Sequence, residues 1–360
     1  MRRREFIAGS VVTAAIGFAR PVHGQSATRS PGVKRIAVFA LSEPVERVMS
    51  HAIPQAKAYF DGLKKRGYIE GSNLIVERYS AKGQPDSIGA FAREIVASHP
   101  DVILPFSGPF IKEVMALNTD IPMVGPTADP VTYGFATSLA RPDRNFTGVV
   151  ADAGLEIWAK RVQLLLETAR KVTKVGFLVA SPTYAPVPHG YGANVLEAAQ
   201  QAGVATVLVN VAGKFDRAAY ERVYGTVIVG GEMVDRAAYE RSFELMEKEG
   251  VDGIVASDPG EFWSDRQLIA DLAAKFRIPA IYAFREFVEV GGLMAYGIDN
   301  VDLMRRVGEM TGQVLGGTKP SDIPFYRQTK FELLLNQKAA TSLGLEFPPT
   351  LLTAADEVIE

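Results

Sequence analysis

The chain has 360 residues, no cysteine and a formal net charge of −2. Without cysteine there is no disulfide, no thiol catalysis, no zinc–thiolate site and no lipid-modified N-terminal cysteine. A mildly acidic body has no basic stripe to neutralise phosphates, which argues against nucleic acid as a partner.

The first element is not folded structure. Arg2-Arg3-Arg4-Glu5-Phe6-Ile7 opens a basic head, followed by a weakly apolar core through Ala19 that contains Gly9, Ser10, Thr13 and Gly17. This is the pattern of an export signal, and Arg3-Arg4 with Phe6 matches its twin-arginine form. The core is too short to span a bilayer, which needs ~20 apolar residues. Cleavage is expected after Val22-His23-Gly24, so residues 1–24 are read as the signal and the protein as periplasmic. Their removal takes away four arginines and one glutamate and leaves a net charge of −5. No later apolar run reaches membrane-spanning length.

Residues 25–33 read as a flexible lead. From Lys34 onward, short apolar runs alternate with amphipathic stretches. Strands are expected at Ile36–Leu41, Leu74–Tyr79, Val102–Phe106, Ile121–Val124 and Phe146–Val150, with helices at Ala52–Arg66, Asp86–Ser98 and Phe110–Leu117. Strands of nearly continuous Val, Ile, Leu and Ala suit burial on both faces of a parallel sheet covered by helices. The same order restarts with strands at Val175–Val179, Thr206–Val211, Gly253–Ala256 and Ala280–Ala283. Its helices are expected at Leu155–Thr168, Asn194–Ala202, Asp235–Glu249 and Asp265–Phe276.

The fold class is therefore α/β, with two Rossmann-like lobes of parallel sheet joined by hinge strands. The tail is too small for a third unit. It is expected to return to the first lobe near Met294 and to cross back near residue 330. Lobe 1 would be 34–152 plus 295–330, and lobe 2 would be 153–294 plus 331–360. One oddity interrupts the second lobe: Asp216-Arg-Ala-Ala-Tyr-Glu-Arg222 recurs as Asp235-Arg-Ala-Ala-Tyr-Glu-Arg241. A spacing of nineteen residues is too local for a solenoid, and the repeat reads as a duplication or insertion at the lobe's edge.

Catalytic signatures are scarce. The chain has no Gly-x-Ser-x-Gly, no Walker loop, no His-Glu-x-x-His and no Gly-x-Gly-x-x-Gly after a strand, so no cofactor is expected. His51, His99 and His189 lack metal-ligand spacing. What is rich is the set of turns at the carboxyl ends of the strands, where open α/β sheets bind ligands. These turns are Ser42-Glu43-Pro44, Phe106-Ser107-Gly108-Pro109-Phe110, Thr127 to Asp129, Ser181 to Tyr184, Ser257-Asp258 to Trp263, and Phe284-Arg285-Glu286. Small hydroxyls beside helix starts suit a carboxylate, and Asp258 suits an ammonium. Tyr184, Phe106, Phe110, Trp263 and Phe284 supply apolar walls. Each Ser, Thr or Asp could equally be an ordinary helix cap, Asp129 most of all.

In order along the chain stand Phe60-Asp-Gly-Leu-Lys-Lys-Arg-Gly-Tyr-Ile-Glu-Gly71, Pro100-Asp-Val-Ile103, Ile121-Pro-Met-Val124, Asp129-Pro-Val131, Ser138-Leu-Ala-Arg-Pro142, Asn145-Phe-Thr-Gly148, Ala295-Tyr-Gly-Ile-Asp299 and Asn336-Gln-Lys-Ala-Ala340. In this order they resemble the ABC transporter substrate-binding proteins of the tryptophan/tyrosine-binding type, which have the type I periplasmic binding fold. The resemblance covers about Lys34 to Leu352. It implies a non-catalytic protein that closes around an amino acid, aromatic by preference, or a related carboxylate, and presents it as a monomer to a membrane permease. It places the ligand carboxylate at Ser107-Gly108 and Thr127, with Tyr184, Asp258 and Arg285 facing it. The chain departs from that pattern in its aromatic Phe106–Phe110 turn and in Arg285-Glu286, where an arginine would suit a second anionic group. Three other readings use the same scaffold. A hydrolase would use Asp258, Glu261 or Glu286, and a sensory protein would dock on a membrane receptor. A transcription regulator would need a DNA-binding segment before Lys34, where the export signal stands instead.

Overall fold

The computed structural model describes residues 32–360 except 83, 85–86, 128, 152–155, 181–190, 214–216 and 258–259. The signal segment, Tyr184 and Asp258 thus lie outside the described residues. The first α/β run is β1 (Lys34–Ala40), α1 (Pro54–Lys65), β2 (Leu74–Ser80), α2 (Ile88–Ala97), β3 (Val102–Pro105), α3 (Gly108–Ala116), β4 (Met123–Thr127) and β5 (Phe146–Val150). The second is α4 (Glu156–Thr168), β6 (Lys174–Val179), α5 (Tyr191–Gln201), β7 (Ala205–Ala212), α6 (Arg217–Tyr224), β8 (Thr226–Gly231), α7 (Arg236–Lys248), β9 (Gly253–Ala256), α8 (Gly260–Ser264), α9 (Arg266–Lys275), β10 (Ala280–Tyr282), α10 (Arg285–Glu289) and β11 (Met294–Ile298). The tail supplies α11 (Asn300–Leu315), β12 (Tyr326–Arg327), β13 (Phe331–Asn336), α12 (Gln337–Leu343), α13 (Pro349–Ala354) and β14 (Glu357–Ile359).

Two sheets result. One runs β12-β5-β4-β3-β1-β2 and the other β14-β13-β11-β10-β9-β6-β7-β8. Every pairing is parallel except β11 with β13. Each sheet is buried on both faces, which is why its strands read as unbroken apolar runs. In the first sheet, Ile36, Val38 and Leu104 face α1 and α11 through Tyr59, Leu63 and Val307. On its other face Phe39 and Ile103 meet Ile95, Phe110 and Val114 of α2 and α3. In the second sheet, Phe177, Leu208 and Val255 pack under Trp158, Leu165 and Val195. Opposite them Val209, Ile254 and Tyr282 pack against Tyr239, Phe243 and Ile269.

The tail crosses between the halves at places the sequence only partly marks. Helix α11 docks on α1 at van der Waals limits: a Cβ on Gly308 would lie 2.1 Å from the Tyr59 carbonyl oxygen. Only glycine permits that approach. The expected return to the first half at Met294 comes too early, however. Strand β11 pairs with β10 through Ile281 and Tyr282 and with β13 through Leu333 to Leu335, so the chain stays in the second sheet through Ile298. It turns at Asp299, whose side chain caps α11 by accepting from the N–H groups of Val301 and Asp302. Phe331, the first residue of β13, packs against cores of both halves.

The repeat builds two structural units rather than a loop. Thr206-Val-Leu-Val209 lies in β7 and Thr226-Val-Ile-Val229 in β8, and each strand is joined to a helix begun by one copy of the Arg-Ala-Ala-Tyr-Glu-Arg run. Both helices repeat the same i,i+4 ion pair, Arg217–Glu221 at 2.6 Å and Arg236–Glu240 at 3.4 Å. Strand β8 is the outermost strand of its sheet. Among the described residues no helix is long and apolar enough to cross a membrane.

Candidate functional site

In an open α/β sheet, neighbouring strands whose connections leave in opposite directions open a crevice at their carboxyl ends. The first sheet has this switch between β1 and β3, and the second between β6 and β9. The turns after β1 and β3 carry Ser42 and Ser107, and the turn after β9 carries Ser257. The turn after β6 lies at 181–190, outside the described residues.

Three serines at these switch points share an unusual feature. The Oγ atoms of Ser42, Ser107 and Ser257 are buried and have no hydrogen-bond partner. Ser107 occupies the N-cap position of α3 with extended backbone, yet its side chain does not cap the helix. Ser257 is 1 % exposed, and its amide donates to the Leu178 carbonyl at 2.9 Å, which fixes the backbone while the hydroxyl stays free. A buried hydroxyl left without a partner costs about 1–3 kcal/mol. All three stand at the strand ends where folds of this kind open their crevice.

The other residues that the sequence singles out are placed as follows. Gly108 is the first helical residue of α3, adjoining Ser107. Thr127 ends β4 and is buried. Phe106 is partly buried against the α1/α11 core, whereas Phe110 is wholly buried in the opposite one, stacked on Phe39 at 4.0 Å; Phe110 is core, not wall. Phe284 precedes α10 and meets Trp263 edge-on at 5.7 Å, so these two rings do form a shared apolar surface. Asp129 behaves as a turn cap, accepting from the amides of Val131 and Thr132 and pairing with Arg327 at 3.2 Å.

Arg285 departs from expectation. Its guanidinium is held by Glu289, Glu332 and Glu357 at 3.0, 3.0 and 2.6 Å. Three carboxylates thus already neutralise it and engage all three of its nitrogens. Glu286, next in the chain, points elsewhere. It is 7 % exposed, and burial pushes its carboxyl up to about 7.

Among the described residues, side-chain hydrogen bonds join the halves across this region. Glu43 accepts from the Ser264 hydroxyl at 3.0 Å and pairs with Arg47 at 2.8 Å. Gln55, in the first turn of α1, donates its side-chain amide to Glu286 in the first turn of α10. Sequence reasoning had no means to find Gln55 or Ser264, because both sit on helices rather than in strand-end turns. Among the described residues no group of His, Cys, Asp or Glu gathers as a metal site.

A two-sheet α/β protein with free hydroxyls at paired switch points is built to enclose a small molecule between its halves. The family model of ABC transporter substrate-binding proteins matches residues 45–211 and 238–359, and the chain belongs to that family. The unmatched stretch, 212–237, spans α6 and β8, the extra unit of the repeat. A tyrosine-binding protein of Clostridioides difficile is 22% identical over 302 residues, covering 81% of this chain and 76% of the relative. A conserved domain protein from Vibrio cholerae has a similar solved structure, with a TM-score of 0.71, 21% identity, and coverage of 91% of this chain and 99% of that one. A domain from Streptococcus pneumoniae solved in complex with L-Trp has a TM-score of 0.67 at 21% identity, covering 91% of this chain and 100% of that one.

Proposed function

We propose that this protein captures an aromatic amino acid between two lobes and delivers it to an ABC permease without chemically altering it. The observation that carries this reading is the trio of unpartnered hydroxyls at Ser42, Ser107 and Ser257. The ligand carboxylate would be received at Ser107 and Gly108, where the α3 N-terminus and the free Oγ converge. Trp263 and Phe284 offer an aromatic wall for the side chain. Tyrosine and tryptophan as the ligand classes draw support from two similar proteins, one tyrosine-binding and one solved with L-Trp bound. A dicarboxylic ligand held by Arg285 is disfavoured by the three carboxylates already on that side chain.

The lobes are proposed as 34–150 with 300–327, and 156–298 with 331–360. They are expected to close about crossings that include those near residues 299 and 328–330, since binding shared between two bodies favours their approach. The protein is further proposed to act as a monomer in the periplasm, exported by the twin-arginine signal and cleaved near Gly24. Isothermal calorimetry with L-tryptophan and L-tyrosine, beside native mass spectrometry of the protein as purified, tests the ligand. Saturable binding with a smaller radius of gyration by X-ray scattering is expected. Absence of binding to either amino acid would reject the reading.

A further inference from the structure

We propose that Glu286 and Gln55, one from each half, together form the receptor for the ligand's ammonium group. This assignment rests on the amino-acid reading above and goes beyond it, because the sequence pointed to Asp258 for that role.

The geometry carries it. The Gln55 amide nitrogen donates to one Glu286 oxygen, which brings α1 of the first half against α10 of the second. That single bond leaves two buried acceptors without partners, Gln55 Oε1 and Glu286 Oε2. Both are on first turns of helices that follow β1 and β10, the cleft side of their sheets. A buried carboxylate with an open acceptor lacks a cation and hydrogen-bond donors. An ammonium supplies both, with three N–H groups against two waiting oxygens. Arg285, the nearest cation in sequence, cannot serve, since Glu289, Glu332 and Glu357 hold it. The charges acting on Glu286 are Glu289 and Arg285 of its own helix and Glu332 of β13, while α1 brings the uncharged Gln55. The site therefore supplies a carboxylate held short of its donors, and it exists only when the halves meet. The amine thereby becomes part of the closing contact itself, and ligands without one would bind a less complete closed state.

The test pairs each amino acid with its amine-free analogue: L-tryptophan with indole-3-propionate, and L-tyrosine with 3-(4-hydroxyphenyl)propionate. Calorimetry at pH 8 is run on the full mature protein and on the Glu286→Gln and Gln55→Leu variants. The native protein is expected to prefer the amine-bearing ligand by ~30-fold or more, the value for stranding one buried charge. In Glu286→Gln that preference falls to within ~3-fold, and in Gln55→Leu it is reduced less. Because Glu286→Gln keeps shape and Gln55→Leu alters the other half, loss of preference in both cannot come from misfolding of one helix. Full retention of the preference in Glu286→Gln overturns the proposal and leaves the amino-acid reading intact. Equal binding of both analogues by the native protein overturns it as well, pointing to an aromatic carboxylate ligand. Binding of none of the four would remove the amino-acid reading and this receptor together.

Discussion

Polar residues stand at the starts of many helices in this protein, and they fall into two groups. Asp299 accepts from two backbone amides of α11 at 2.9 and 3.0 Å, Asp235 from Ala238 of α7 at 2.7 Å, and Asn336 from Ala339 of α12 at 2.9 Å. Ser107 holds the same position on α3, and its hydroxyl bonds to nothing. The first three lie away from the switch points, whereas Ser107 lies on one of them. Side chains that cap have discharged their hydrogen-bonding capacity within the fold. Those at the crevice keep it in reserve. A polar side chain at a helix start is therefore spent inside the fold in one region and left without a partner in the other.

The largest expected effect comes from Glu286, the charged member of the uncommitted group. Its carboxyl ionises near 4.5 in an unfolded chain and near 7 when folded. Between those values the folded state keeps a proton that the unfolded state releases, so stability falls as pH rises and then levels off above 7. Glu286→Gln removes this penalty and should stabilise the ligand-free protein by about 3 kcal/mol at pH 8, with no gain near pH 4. Urea denaturation at the two pH values measures this, and an unchanged pH profile would move Glu286 out of the uncommitted group. A smaller effect is expected from Ser107→Ala. It should weaken ligand binding by ~2 kcal/mol, a hydrogen bond to a charged group, while stabilising the ligand-free protein by about 1 kcal/mol or more through loss of an unpartnered buried hydroxyl. Calorimetry and thermal melts on one preparation separate the two; a loss of stability without loss of affinity would make Ser107 a cap after all. The smallest effect is the mirror image, Asp299→Ala. It should cost about 1 kcal/mol of stability and leave affinity within about twofold. A large drop in affinity would show that the Asp299 turn does more than start α11.

Much of this architecture was legible in the chain. Strands such as Val175–Val179 and Gly253–Ala256 are buried on both faces, and that burial requires uninterrupted apolar residues. The less legible elements depend on partners. Met294–Ile298 lies between glycines and an aspartate, which suggests a crossing, yet β10 and β13 hold it in the second sheet from both sides. Thr226–Gly231 ends in two glycines and sits at a sheet edge, so β8 carries a weak strand signal. The crevice was legible as a set of turns, since strand ends and helix starts have local signatures. Which hydroxyls stay free was not, because Ser107 and Asp299 look alike until their hydrogen bonds are traced. Gln55 and Glu286 meet across 231 positions of sequence, and nothing local records such an encounter. The carboxylates on Arg285 were hidden for the same reason, with Glu332 and Glu357 arriving from the far end of the chain.

The duplicated strand sets the folding chain an addressing problem. Thr206-Val-Leu-Val209 and Thr226-Val-Ile-Val229 are near-copies, and either could compete for the inner place beside β6 or the outer place beside it. Two glycines of the second copy, Gly230 and Gly231, stand where the first has Asn210 and Val211, and they break the tie. Four residues after each threonine comes Asn210 in one copy and Gly230 in the other. At Gly230 even a Cβ would lie 2.2 Å from Ser242 Oγ and 2.3 Å from the Ala238 carbonyl oxygen. An asparagine cannot occupy the outer berth without displacing α7, so the first copy is barred from it and the swapped arrangement is discouraged by steric exclusion alone. Glycine here acts as a key, telling two near-identical strands where each belongs.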